Sequence, residues 1–166
     1  MSERTVVLDH ERVQRKLERI AHQLHEENHL EERVVLVGVA PRGLAIAKRL
    51  QARLLAIAPF AVDLVTLQLD KDAPLEAPVK LSIPIQDLRN STVVLVDDVL
   101  MSGRTLMHAA AHLVSAPLKR LITVVLVDRR QRSYPIRADI VGLTLSTTAQ
   151  EHISVELGRK DMVYLA

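Results

Sequence analysis

Cysteine and tryptophan are both missing from this 166-residue chain. Without thiols there are no disulfides and no thiolate metal sites, and a reducing cytoplasm is the expected compartment. Phe60, Tyr134 and Tyr164 are its only Phe, Tyr or Trp residues. That is too few for a single-strand nucleic-acid binder that stacks bases on aromatic platforms. No apolar run approaches a membrane span, and Met1-Ser2-Glu3-Arg4 lacks the apolar core of a secretion signal, so no membrane partner is expected. A formal net charge of +2 does not demand a polyanionic partner, although a pI near 9.1 leaves room for a local basic patch.

What is present suits one globular domain spanning 1–166, long enough to bury a core without staples. The apolar pattern alternates between two types. Val34–Val39, Ala61–Leu67, Val93–Val96, Leu121–Val127 and Ala138–Leu143 read as strands, the richest of them as strands buried on both faces. Val13, Leu17, Ile20, Ala21 and Leu24 form a helical stripe behind the N-cap candidate Asp9. Leu44, Ala47, Leu50 and Leu54 form a second stripe, and Thr105–Val114 follows a turn as a third helix. Ile153–Leu157 and Met162–Leu165 read as a C-terminal hairpin. Asp70–Lys80, rich in Pro, Asp and Lys and without period, reads as a mobile loop. Strand–helix alternation of this kind predicts an α/β fold with a mainly parallel central sheet flanked by helices. In such sheets ligands bind beyond the carboxyl ends of the strands, where two loops of interest fall.

The first loop follows the strand Val93-Val94-Leu95-Val96 and reads Asp97-Asp98-Val99-Leu100-Met101-Ser102-Gly103-Arg104-Thr105. It is an anion cradle with two carboxylates at its lip. Gly103 allows a tight turn with inward N–H groups, the helix N-terminus adds positive potential, and Ser102 and Thr105 add hydroxyls. Two adjacent carboxylates would repel a phosphate, so they suit sugar hydroxyls or a Mg²⁺ ion held through water. The second loop, Gly38 to Gly43, opens the second helix and carries Arg42, whose fork geometry suits a diphosphate. Walker chemistry is excluded: Leu44-Ala45 follow Gly43 where Lys-Ser/Thr is required, and Asp98 stands where the upstream glycine of Gly103-Arg104-Thr105 belongs.

Asp97 to Thr105 resembles the 5-phosphoribosyl 1-pyrophosphate (PRPP) signature of type I phosphoribosyltransferases. Within that superfamily the chain is most similar to the pyrimidine-operon regulators that double as uracil phosphoribosyltransferases. Arg19-Ile20-Ala21-His22, Arg42-Gly43 with Ala47-Lys48-Arg49-Leu50, Leu126-Val127-Asp128-Arg129, and Pro135 to Asp139 with Val141-Gly142 carry that likeness. The resemblance implies a type I fold with a small hood, and PRPP bound by Asp97, Asp98, Met101, Ser102, Gly103, Arg104 and Thr105 together with Ala40, Pro41, Arg42 and Gly43. It implies that Asp97, Asp98 and Arg42 are the catalytic residues, and that Mg²⁺ is held mainly by PRPP near the acidic pair. Lys71 and Lys80 would serve a lid, and Met101, Arg129, Arg132 and Arg137 would contact the base or RNA. Uracil is the favoured base, an mRNA leader a candidate partner, and a homodimer or higher oligomer the expected assembly. The chain departs from the family at Pro41, Met101, Arg130-Gln131 and Leu143, where Thr, Tyr, Gly-His and Lys are usual.

Three readings stay open at this point: a uracil transferase with or without RNA regulation, a PRPP-sensing regulator without catalysis, and a purine transferase. His108 and His112 have a spacing that can ligate a metal, but no third ligand is in view, and they read as polar residues of a helix.

Overall fold

The computed structural model describes residues 3–166; Met1 and Ser2, the start of the segment read for a secretion signal, lie outside the described residues. In chain order the elements are β1 (Thr5–Leu8), α1 (His10–Asn28), β2 (Arg33–Val39), α2 (Arg42–Ile57), β3 (Ala61–Gln68) and β4 (Lys80–Leu81). A 3-10 turn at Ile85–Leu88 precedes β5 (Thr92–Leu100), α3 (Arg104–Leu113), β6 (Arg120–Asp128), β7 (Ile140–Thr144), β8 (Ile153–Glu156) and β9 (Met162–Leu165).

Six strands form the central sheet in the order β4-β3-β2-β5-β6-β7, parallel throughout except for the short antiparallel edge strand β4. The middle strands are apolar at nearly every position because both faces are covered. Val34, Leu36, Val94, Val96, Val124 and Leu126 face one core, which they share with α1 and α2. Val35, Val37, Val93, Leu95 and Val125 face the other, under α3. Period-two alternation thus feeds two cores.

Asp9 caps α1 as its position predicts, its side chain accepting from Arg12 N–H at 2.9 Å. In α2 the inward stripe is Gly43, Ile46, Ala47, Leu50 and Leu54, while Leu44 is only partly buried. The helix is therefore rotated slightly from the reading by leucines alone. Strand β5 runs four residues beyond Val96, so the acidic pair belongs to the strand. The expected 70–80 loop ends in β4 and is organised near its start, where Asp70 Oδ1 accepts from the N–H groups of Asp72 and Ala73.

The predicted C-terminal hairpin forms, and β1 joins it to make a second sheet, β1-β9-β8, the hood over the central sheet. That partner strand went unread because four residues beside a helix cap carry little pattern. One buried carboxylate ties the hood down. Asp161, 2% exposed, accepts Arg49 Nε at 2.8 Å, Arg49 Nη2 at 2.7 Å, Gln14 Nε2 at 2.9 Å and Gly158 N–H at 3.1 Å. Burial alone would raise its pKa; the bonds from Arg49 and Gln14 outweigh it and hold the carboxyl below the usual range.

Asp161→Ala strands the Arg49 guanidinium and should cost about 3 kcal/mol, which corresponds to about 6–12 °C in melting temperature for a chain of this size. The folded pKa of Asp161 is depressed, so its contribution is present above the ordinary value of 3.8 and is lost as pH falls through the folded value. Thermal melts of both proteins should therefore converge in acid. A gap that persists there would assign the loss to packing instead.

Candidate functional site

The carboxyl ends of β5 and β6, with the start of α2, border a cavity of about 400 Å³. Asp97 and Asp98 form its floor, Met101 to Thr105 one wall, and Arg129 with the hood residues His152 to Val155 another; Arg42 and Lys71 lie at its mouth. The two carboxylates are 3% and 4% exposed. Asp97 Oδ1 accepts the Asp98 N–H at 2.8 Å, and Asp98 Oδ2 accepts Arg42 Nε at 2.8 Å. Lys71 Nζ stands 3.5 Å from Asp97 Oδ1 and 3.8 Å from Asp98 Oδ1.

A pair of carboxylates this close and this buried cannot both ionise freely. Burial, reinforced by the charge of Asp98, pushes Asp97 up to about 8, against the pull of Lys71. For Asp98 burial acts in the same sense but is outweighed by the hydrogen bond from Asp97 and by Lys71 and Arg42, which hold it below the usual range. At neutral pH the pair therefore carries one proton. That proton is shared between the two carboxylates, and their remaining oxygens present acceptors to the cavity, a set that matches neighbouring hydroxyls on a sugar.

The turn at 101–103 is held open as a cradle. Gly103 adopts φ +87°, and a Cβ there would lie 2.7 Å from Ile136 Cγ2, so both conformation and space demand glycine. Ser102 O accepts the N–H groups of Ser133 and Tyr134, which buttresses the turn from the 130s loop, and Ser102 Oγ accepts Arg104 N–H at 3.2 Å. Arg104 Nη2 reaches Asp72 O at 2.6 Å and fastens the 70–80 loop to the cradle. Gly43 allows α2 to start against β5: a Cβ would lie 2.6 Å from Val96 O and 2.9 Å from Asp97 Cα. That contact brings Arg42 to the acidic pair.

Most of the expected residues meet here, and a few do not. Of the second loop only Arg42 lines the cavity. The Ala40 N–H is bonded to Leu67 O at 2.9 Å, which removes it as an anion donor, and Gly43 packs on β5. Lys80 lies exposed in β4, paired in register with Gln68, away from the cavity. Grouping it with Lys71 is corrected, because one end of the loop is held at the cradle and the other at a sheet edge. Arg129 belongs to no outer basic face, being 4% exposed and turned inward. Arg132 is tied to Ile136 O, Met101 O and Asp128 Oδ1, whereas Arg137 is exposed. The hood wall, His152 to Val155, was missed. No local signal marks it, since only the packing of β8 against β5 brings it over the cavity. His108 packs edge-on against Tyr134.

Among the described residues no group of three His, Cys, Asp or Glu is placed to hold a metal ion. The acidic pair supplies two carboxylates only, which fits a cation that arrives with most of its ligands already on an anionic substrate.

Asp97 binds its proton more tightly folded than unfolded. Its contribution to stability is full below 3.8 and is lost as pH rises through about 8. Asp97→Asn stays neutral, so its melting temperature relative to the wild type should climb between those pH values and then level, at about 2–4 °C per kcal/mol. Parallel melting curves across the range would mean that Asp97 is ionised throughout.

Comparison with known proteins agrees with this geometry. The model of the phosphoribosyl transferase domain family matches residues 3–159. The chain is 35% identical over 165 residues to the "Bifunctional protein PyrR" of Haemophilus ducreyi, covering 95% of this chain and 92% of the relative. It is 41% identical over 175 residues to the protein of the same name from Bacillus cereus, covering 97% and 94%. The crystal structure of Trypanosoma cruzi hypoxanthine phosphoribosyltransferase superposes with a TM-score of 0.77 at 16% identity, covering 96% of this chain and 95% of that one. A hypoxanthine-guanine phosphoribosyltransferase from Bacillus anthracis gives 0.71 at 22% identity, covering 88% and 85%; at such identities the likeness speaks for the fold and not the substrate. The chain belongs to the type I phosphoribosyltransferase family, in the branch of the bifunctional PyrR proteins.

Proposed function

We propose that the chain transfers the phosphoribosyl group of PRPP to uracil, giving UMP and diphosphate. One observation carries the reading: a buried carboxylate pair and an anion cradle share one cavity, roofed by the hood and bordered by Met101. PRPP is the substrate that asks for these together, with hydroxyls for the pair and a 5-phosphate for the Ser102–Thr105 cradle. The reaction breaks the bond from the anomeric carbon to diphosphate and forms one to the base nitrogen. It passes through a centre with oxocarbenium character that must be oriented and kept from water. Asp97 and Asp98 hold the ribose, and Arg42 leaves Asp98 for the departing diphosphate. Mg²⁺ would be held by PRPP together with the acidic pair and would supply charge neutralisation on that group.

Met101 supports uracil over purines. Methionine has no exchangeable proton and is a weak acceptor, so it offers nothing to a purine's imidazole nitrogen. The relatives' name, bifunctional, is consistent with a second activity, for which we take an mRNA leader as partner. Arg130 and Arg137, exposed beside Arg132 and Tyr134, are this chain's candidates for its phosphates.

Calorimetry should detect Mg²⁺-dependent PRPP binding that Asp97→Asn with Asp98→Asn abolishes, and a panel of bases should turn over uracil fastest. Faster turnover of hypoxanthine would move the assignment to purines, and PRPP binding without any turnover would favour a regulator. Leader RNA should shift in a gel with an affinity that falls steeply with salt; no saturable shift at low salt would leave a plain enzyme.

The same geometry gives the 70–80 loop a task. Lys71 neutralises the acidic pair while the cavity is free, so PRPP must displace it. Once displaced, Lys71 is beside the diphosphate and the loop can shield the reacting centre. Lys71→Met should lower kcat by roughly ten- to hundredfold, the loss of one charged hydrogen bond, with little change in PRPP affinity. Added PRPP and Mg²⁺ should also slow proteolysis within 70–80. Full activity and unchanged cleavage would reduce the loop to a connection.

A further inference from the structure

Arg129 is a buried guanidinium without a carboxylate partner. Among the described residues, none of the ion pairs includes it. The Glu151 carboxyl is instead bonded to the Thr148 N–H, which, with a lesser contribution from the Arg129 charge, holds it below the usual range. A cation buried this way is costly unless its donors are all met.

Three sides of the group are met. Nε donates to Thr147 Oγ1 at 2.8 Å, and Nη2 donates to Glu151 O at 2.7 Å and Thr148 O at 3.2 Å. Its own backbone N–H is bonded to Leu100 O at 2.9 Å, so the side chain leaves β6 from a fixed origin. Nη1 is different. It carries two N–H groups, and its only protein partner among the described residues is the Met101 sulfur, a weak acceptor. Arg129 and Met101 both line the cavity.

The rest of the cavity tells what stands before Nη1. On the reading above, which this step takes as given, the cradle holds the phosphate and the acidic pair holds the ribose. The space left for the base is bounded by Met101, Arg129 and the hood strand.

We infer that Arg129 reads the base, its Nη1 edge donating to an exocyclic carbonyl oxygen of a keto pyrimidine. A guanidinium has donors only and cannot accept from an exocyclic amine. An amino group at that position would leave the buried Nη1 unmet, the situation in which hydrogen-bonding sites reject analogues most strongly. Where that oxygen is O4, Arg129 separates uracil from cytosine, which keeps only O2; in either case it does not separate uracil from keto purines, which is left to Met101 and the width of the slot. The bonds to 147–151 serve the same end, since they lock the guanidinium plane so that Nη1 does not reorient.

The test uses the full chain with PRPP and Mg²⁺ and compares uracil, cytosine, pyrimidin-2-one and pyrimidin-4-one, the last two each lacking one of uracil's carbonyls. In the wild type at least one carbonyl-deleted analogue falls roughly ten- to hundredfold in kcat/KM, the effect of one charged hydrogen bond, and cytosine is rejected where that analogue is pyrimidin-2-one, which shares its lack of O4. In Arg129→Gln uracil falls by a similar factor and the penalty on that analogue disappears, while the calorimetric Kd for PRPP stays within about twofold. Both carbonyl-deleted analogues reacting as fast as uracil overturn the assignment in the wild type alone, whether or not the variant folds. Parallel losses of PRPP affinity and uracil turnover in Arg129→Gln also overturn it, reducing the side chain to a clamp. A wild type that transfers no keto base fails the transferase reading itself, and this assignment with it.

Discussion

Strand β5 lies in the middle of the sheet, covered on both faces, and it carries near its carboxyl end two carboxylates that are almost wholly buried. Charge in such a place is expensive, and the surroundings of Asp97 and Asp98 are organised around that cost. Arg42 from α2 and Lys71 from the 70–80 loop supply opposite charge, and Asp97 keeps its proton. Neither cation is placed by its own sequence neighbourhood alone. Arg42 arrives because Gly43 lets α2 start within van der Waals reach of Asp97, and Lys71 because Arg104 holds the neighbouring peptide of its loop.

These arrangements are suited to exchange rather than permanence. Arg42 is half exposed and Lys71 about a third, so each can leave the pair at modest cost once a ligand supplies hydroxyls and cationic charge in their stead. The buried carboxylates cannot move, since they are backbone-anchored strand residues. On the proposed reading, a buried acidic floor with more exposed cations above it offers the same groups to a sugar and to a diphosphate without rebuilding the core.

The roof obeys a different rule. The hood is a small three-stranded sheet, and it is oriented by polar contacts as well as by its apolar face. Asp161 with Arg49 and Gln14 fixes one end, and Arg129 with the 147–151 backbone fixes the approach to the other. Polar bonds of this kind specify one position among several that apolar packing would tolerate. That matters where a slot must fit a flat ring.

Much of the central sheet was legible because its physics is local. A strand buried on both faces must be apolar at successive positions, and the acidic pair followed by Ser-Gly-x-Thr stands out at the end of such a run. The parallel order, the cradle and the role of Gly103 follow from that pattern, since period, turn chemistry and helix start are properties of neighbouring residues. The placement of Lys71, Lys80 and Arg129 was not legible. Composition put both lysines in one loop, yet the fold holds one at the cavity and the other at the sheet edge. A run of arginines that reads as a basic surface divides in space, with Arg129 inside the cavity wall and Arg137 in solvent. Strand β1 depends on a pairing across nearly the whole chain, and the hood wall at 152–155 reaches the cavity only by packing against β5; no local period encodes either. The sequence by itself determined which groups could bind a phosphorylated sugar, because the cradle is built from adjacent residues. Only the tertiary structure decided what borders the proposed base slot, because that wall is assembled from segments whose meeting depends on long-range packing and on where a buried charge finds its partners.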